Sequence, residues 1–388
     1  MTIENGDKRR DISMANSLVA KVQLGLPSAV AKLGSKMRFI DQIAPKLRNS
    51  GVIRTVTKKV PLTLNVTGIA TASKTIPAFG GILYSVGALR QDLSIQGGVV
   101  YQTFQDSLVD IDEADDIDVT QKLKFFHINQ IYDLLEELIK DSDRPELVIM
   151  GAPLLLERSD APVESYEELY FDYIACKERI EQFWKEYKNE IYPFNPSGVK
   201  IVSVSSKRFG SVFYGLKSEQ IDKYMIDSLD NQELSALSMS FDKIKKVGVK
   251  KLLHGVLTRR TRTAAYEYDL LTSDNRLEPK FVRELGVINF HFRAGMRTMP
   301  LLVETIGHKE DWSTESIDQL TSDLISLYTI DQLKALPLPL WYASHGLKAI
   351  KTGTIIQYYK SQAQEMIKSE KVESIWTEEV DLFGEDDI

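Results

Sequence analysis

The 388-residue chain has a single cysteine, Cys176, no apolar run long enough to span a bilayer, and five histidines, none paired at metal-ligand spacing. One thiol excludes a disulfide framework and a cysteine-rich zinc site, and it suits a reducing compartment. The missing apolar run excludes a membrane-spanning helix, and the first residues lack the order of a secretory signal, so a cytoplasmic protein without membrane contact is expected. No HxxxH pattern occurs, which argues against zinc. Neither GxxxxGK[ST] nor GxGxxG is present, so any ATP-driven motion has to come from another protein. Internal repeats and low-complexity tracts are also absent.

What is present is a globular composition with segregated charge. Hydrophobic residues make up 43% of the chain, enough for one large core or two modest ones. The net charge of −7 conceals two basic segments: residues 1–60 carry twelve Lys or Arg against four acids, and residues 241–263 carry eight against Asp242 alone. Acids collect instead at Asp106 to Asp118 and in the tail from residue 371 to 388. Such segregation suits a protein that holds phosphate on one surface. Lys250, Lys251, Arg259, Arg260 and Arg262 form the strongest candidate for DNA binding, since a polyanion relieves their mutual repulsion. Lys207 and Arg208, in a Ser- and Gly-containing turn, are a second candidate for contacts to the phosphate backbone.

Periodicity predicts an order of elements. Residues 13–48 have apolar side chains at helical spacing and read as one or two helices broken at Gly25 to Pro27, within a basic N-terminal arm spanning 1–60. Three strands are expected from Leu62 to Phe104, with turns at Gly80-Gly81 and Gly97-Gly98. A helix from Asp118 to Lys140, a strand Leu147 to Met150, a helix over 165–187 and a strand Val199 to Val204 complete a β-β-β-α-β-α-β series. The expected fold is therefore α/β, an RNase H-like core with a mixed sheet flanked by helices. Residues 218–285 read as a helical insertion within a main domain spanning 61–370. Strands are expected at Val287 to Arg293 and Pro300 to Thr305, with Glu304 paired to Arg297.

Four segments in fixed order resemble the NurA family of DNA-end-processing nucleases: Leu64 to Arg90, ELVIMGAPLLLER from Glu146, FHFRAGMRTMPLLVETIG from Phe290, and PLPLWYASHGLKAI from Pro337. The resemblance implies a homodimer that docks on a HerA-type hexameric ATPase and processes DNA ends with Mn²⁺ or Mg²⁺, in repair or antiviral defence. It also implies where the family's carboxylates belong. The first aspartate falls on Ala70 and a later one on Gly151, its tyrosine falls on or beside Pro337, and the histidine is kept as His345. The family's glutamate belongs between Ile128 and Glu137, where Asp133, Glu136 and Glu137 are available, Asp133 being taken as the catalytic and metal-binding candidate. A hard divalent cation needs anionic oxygens, so losing two carboxylates predicts poor cleavage. Both an inactivated nuclease and a non-catalytic DNA-binding or adaptor subunit of a HerA-type complex fit these residues.

Overall fold

The computed structural model describes residues 4–58, 62–78, 81–114, 119–163, 167–206, 212–215, 223–237, 241–268, 277–296, 298–328 and 336–369, with side chains described from residue 19 onward except at 78, 167, 214, 215, 236, 241, 242, 245 and 367–369. The chain opens with helix α1 (Glu4–Asn49) and a short strand β1 (Ile53–Thr55), followed by the long strands β2 (Leu64–Ala78), β3 (Gly81–Gln96) and β4 (Val99–Ala114). Then come α2 (Val119–Lys140), β5 (Leu147–Met150), α3 (Glu167–Tyr187) and β6 (Lys200–Ser205). Short helices α4 (Val212–Gly215), α5 (Asn231–Leu237), α6 (Phe241–Val247) and α7 (Val249–Val256) lead into β7 (Thr261–Thr263) and β8 (Tyr266–Glu267). The remainder is α8 (Pro279–Leu285), β9 (Val287–Arg293), β10 (Leu301–Ile306), α9 (Thr314–Ser326), α10 (Leu338–Gly346), α11 (Lys348–Lys351) and α12 (Thr354–Ser369).

All ten described strands join one mixed sheet, in the order β1-β7-β9-β10-β6-β5-β2-β3-β4, with β8 beside β9. β2, β5 and β6 run parallel at its centre, and β3 and β4 extend it antiparallel. This is the expected mixed sheet flanked by helices. Side-chain alternation sorts the strands onto two layers. Ile69, Val148, Met150 and Ile201 pack with Phe125, Ile128, Ile180 and Phe183 of α2 and α3. Val66, Ala70, Leu89, Ile149 and Val202 pack on the other face with Ile317, Leu320, Leu340 and Ala343 of α9 and α10. A Cβ at Gly68 would lie 2.3 Å from the Pro339 carbonyl carbon, so the absence of a side chain there sets how closely α10 crosses β2.

Three expectations need correction. The helix α1 is continuous through Gly25 and Pro27. Its end is part of the body, because Ile40, Ile43, Ala44 and Leu47 are buried with α5, α6 and α7, whereas Val22, Leu26, Leu33 and Met37 are exposed. The strand β4 continues past Phe104 to Ala114 through Asp106, Asp110, Asp112 and Glu113. It is an edge strand exposed on both sides, and solvent-facing acids suit such an edge. Finally, residues 218–285 are not wholly helical, since β7 lies between β1 and β9 in the main sheet. The acidic tail 371–388, Lys207, Arg208 and Arg297 lie outside the described residues. Glu304 is buried and accepts a hydrogen bond from the Tyr268 hydroxyl at 2.9 Å.

Candidate functional site

The parallel strands create an opening where one ends and its neighbour continues. Met150, the last residue of β5, pairs with Ile69, while β2 runs on to Ala78. From Ala70 onward that edge of β2 has no β5 neighbour, and the gap beside Thr71 to Ser73 is a pocket of about 380 Å³. Its other walls are the turn Gly151 to Pro153, Lys124 and His127 of α2, and Lys351 of α11. Clefts outside the carboxyl ends of parallel strands are the usual ligand sites of open α/β sheets. The turn is itself anchored: Gly151 N–H donates to the Ile69 carbonyl at 2.9 Å, and Ser203 Oγ donates to the Ala152 carbonyl at 2.7 Å.

Gly151, in the turn just past β5, lies beside the Ile69-Ala70 step of β2, and the side-chain direction at both Ala70 and Gly151 is toward α10. Ala70 is 4% exposed within the layer that holds Leu340 and Ala343. A Cβ on Gly151 would meet Leu340 Cδ1 at 2.9 Å. An apolar side chain thus fills the space that carboxylates at these two positions would share. We therefore expect Ala70→Asp to destabilise the fold by about 1–3 kcal/mol, as an unpaired polar group in an apolar layer does, and to generate no cleavage. Urea unfolding and a nuclease assay in Mn²⁺ check both halves; cleavage gained at undiminished stability would refute it.

Asp133 stands away from this pocket. It receives hydrogen bonds from Arg179 Nε at 3.1 Å and Nη2 at 2.9 Å, and the neighbouring Glu136 takes another from Nη2 at 2.5 Å. In this structure Asp133 is an ion-pair partner that links α2 to α3. Glu136 is held down to about 2, chiefly by its hydrogen bond from Lys140 and further by Arg179. His345 is exposed, with its ring stacked on Trp341 at 5.3 Å, and it does not line the pocket. Asp92 is bound by Arg90 and by Thr67 Oγ1 at 2.6 Å, at a second cavity of about 470 Å³ toward the start of β2. There Arg90 also bridges to Asp141 at 2.9 Å, so the larger cavity is lined by ion-paired charge.

The residues missed by sequence reasoning are Lys124, His127 and Lys351. Lys124 forms an ion pair with the buried Asp160. His127 Nε2 is buried without a partner, and burial pushes the His127 pKa down, offset in part by the main chain at Ala72. Lys351 Nζ donates to the Ser344 carbonyl at 2.7 Å and to Ser344 Oγ at 2.5 Å; burial lowers its pKa too. Among the described residues no group of three or more His, Cys, Asp or Glu is placed to hold a metal ion. Three nitrogen-bearing side chains in place of anionic oxygens do not fit Mn²⁺ or Mg²⁺ at this pocket.

The basic segments have separate fates. The end of α1 packs on α7, with Ile40 against Gly255, so the N-terminal and the 241–263 basic segments become neighbours. Lys46, Arg48, Lys250, Lys251 and Arg259 are exposed there, and Arg260 is half-buried. Arg262 is different: it is fully buried and forks onto Asp227 at 2.5 and 2.8 Å. Its place on strand β7 turns it inward, so its assignment to DNA binding is corrected to a structural ion pair.

No family model matches the sequence, and no curated protein is similar to it. Solved structures match the fold. The NurA nuclease from Sulfolobus solfataricus superposes with a TM-score of 0.57 at 11% identity, over 94% of this chain and 99% of that one. A NurA structure with manganese matches more loosely, at TM-score 0.38 and 11% identity over 89% and 98% of the two chains. Human ENDOV has a TM-score of 0.34 and 14% identity over 81% and 98%. The chain has a NurA-like fold with an RNase H-like core. Among the described residues, no helix is long and apolar enough to cross a membrane.

Proposed function

We propose that this chain is a NurA-like DNA-binding subunit that works beside a HerA-type hexameric ATPase in DNA end processing, and that it grips DNA without cutting it. The observation that supports this reading is that Leu340 fills the space which carboxylates at positions 70 and 151 would share, where a metal-dependent nuclease needs anionic oxygens. The neighbouring basic segments on α1 and α7 support an extended contact with phosphates. The exposed apolar residues Val22, Leu26, Leu33 and Met37 on α1 support docking of that helix on the ATPase or on a second copy of the chain. Cytoplasmic residence and a homodimer complete the proposal.

A nuclease assay with the purified chain in Mn²⁺ and in Mg²⁺, with and without a HerA-type ATPase, tests the central claim. The expected result is DNA binding with no cleavage by this chain. Robust metal-dependent cleavage that survives removal of contaminating nucleases would overturn it and favour an active nuclease with ligands outside the described residues. Binding is expected to be insensitive to sequence and steeply dependent on salt. Neutralising Lys250, Lys251, Arg259 and Arg260 together should reduce the slope of log K against log salt by up to about 3–4 on duplex DNA. Fluorescence anisotropy over a salt series measures it, and an unchanged slope would reduce the cluster to a solvated face.

A further inference from the structure

We propose that the exposed half of α1 pairs with the same segment of a second copy of this chain, as an antiparallel two-helix coiled coil. The inference rests on the proposed function only for reading α1 as a docking helix; the choice of occupant rests on the heptad pattern and charge of the helix itself. An apolar residue stands at every seventh position along α1: Ile12, Val19, Leu26, Leu33, Ile40 and Leu47. Three residues after the first five come Ala15, Val22, Ala29, Lys36 and Ile43, so the fourth heptad position is also apolar except at Lys36. A strict seven-residue repeat sustained over many heptads imposes left-handed supercoiling about a partner helix.

The fold covers one end of this seam and leaves the other bare. Ile40, Ile43 and Leu47 are buried with residues of α5, α6 and α7. From Val19 to Leu33 every side chain is exposed, and Val19, Val22 and Leu26 are each more than half exposed. Most helical stability in proteins comes from packing an amphipathic face, so the bare seam calls for a second helix. Val30 flanks the seam, and Leu24 and Pro27 lie off it.

Charge selects the occupant and its direction. Within residues 1–40 acids occur only at positions 4, 7 and 11, while 21–38 carries Lys21, Lys32, Lys36 and Arg38 with no acid. A parallel pair in register would place Lys36 against Lys36 within the seam and set the two basic segments side by side. An antiparallel pair with its two-fold axis between positions 20 and 21 sets Val19 of one copy opposite Val22 of the other, Leu26 opposite Ala15, and Ala29 opposite Ile12. Repeated by the symmetry, these make six apolar layers, and Lys36 falls outside them. Position 11, an aspartate, then flanks the seam beside Lys32 of the other copy, and positions 4 and 7 reach its basic end. The layers span residues 12–29, about 27 Å at a rise of about 1.5 Å per residue. They stop short of Ile40, which each body already covers.

Sedimentation equilibrium of the full chain alone, without DNA or ATPase, tests this. The wild-type mass is expected to be that of two 44.0 kDa chains. Val19→Lys, Val22→Lys and Leu26→Lys together should halve it while near-ultraviolet circular dichroism, which reports the packed body, stays the same. Removal of residues 1–36 should do likewise. Introduced thiols give the direction, because Cys176 is buried. On oxidation, Leu26→Cys chains should form a disulfide with Ala15→Cys chains and none with themselves, since only opposed positions bring the sulfurs within reach. A wild-type monomer would overturn the proposal, as would a lysine variant or a shortened chain that remains dimeric. Self-linked Leu26→Cys would overturn the antiparallel pairing. A monomer whose Leu26→Cys thiol is shielded from alkylation only after a HerA-type ATPase is added would give the face to the ATPase, overturning the pairing and keeping the proposed function. A chain that dimerises through α1 yet fails to bind DNA would keep the pairing and refute that function.

Discussion

Deleting residues 1–48 is expected to unfold the region around α5, α6 and α7, whereas deleting residues 1–36 is expected to leave the fold intact. Ile40, Ile43 and Leu47 are 6%, 3% and 0% exposed in the cluster with Leu252, Leu253 and Val256. Removing three such aliphatic side chains forfeits about 5–9 kcal/mol of burial at 1.5–3 kcal/mol each. That is comparable to the whole stability of a typical domain, about 5–15 kcal/mol. The contact is also close: a Cβ on Gly255 would sit 2.4 Å from Ile40 Cγ2, so α1 and α7 touch where α7 has no side chain. Among the described side chains, those the shorter deletion removes are mostly exposed, including Val22, Leu26 and Leu33. If the exposed part of α1 docks on a ring-shaped ATPase, that deletion abolishes co-purification while circular dichroism and the urea midpoint stay close to those of the full chain. A folded protein after the longer deletion would refute the packing argument. Retained co-purification after the shorter one would place the docking surface elsewhere.

The contrast between the two ends of α1 illustrates what the sequence made legible. Apolar residues at helical spacing over 13–48 revealed a helix, but the same pattern describes Leu33, which faces solvent, and Leu47, which is in the core. Periodicity identifies a stripe, and only the fold decides what covers it. The central hairpins were readable because Gly81 and the Gly97-Gly98 pair take positive φ at the turns, a conformation that favours glycine. The part of β4 beyond Phe104 was not, because an edge strand exposed on both sides has no apolar alternation to reveal it.

The candidate site was legible in its frame and hidden in its chemistry. The Ala70 and Gly151 segments were linked only by the resemblance, and the structure sets them side by side, with Gly151 N–H donating to the Ile69 carbonyl. Lys124 and His127 looked like ordinary polar positions on an amphipathic helix. Lys351 is more than two hundred residues further along the chain, and no local pattern connects it to them. What exposes the three together is the early end of β5, which leaves β2 with an open edge facing α2. Asp133 was chosen because carboxylates were sought on α2; its actual partner, Arg179, lies one helix away.

Replacing Arg262 by alanine is expected to destabilise the protein by about 3–5 kcal/mol, since it strands a carboxylate in the interior. Arg262 and Asp227 side chains are both 0% exposed, and the guanidinium also reaches Asp318 at 2.6 Å. After the substitution Asp227 would keep the Ala265 N–H at 2.7 Å and a distant Arg54 at 3.4 Å. A lysine would not rescue this fully, because it cannot present the planar fork that meets both carboxylate oxygens. The pH dependence follows from the balance at Asp227. Burial pushes its pKa up, but the hydrogen bonds and charge of Arg262 more than offset this and leave the carboxyl below its ordinary value. In the native protein this contribution is present above the unfolded value of about 3.9 and fades as pH falls through the lower folded value. Without Arg262 burial dominates, the folded carboxyl rises above its unfolded value, and protonation relieves the buried charge. The stability gap between the two proteins is therefore expected to be larger at neutral pH and to narrow on acidification toward pH ~4. Urea unfolding at both pH values measures the gap, and Arg262→Met combined with Asp227→Leu should recover most of the loss. If the salt slope of DNA binding fell in a folded Arg262 variant, the residue would belong to the phosphate surface after all; its full burial on β7, between β1 and β9, predicts an unchanged slope.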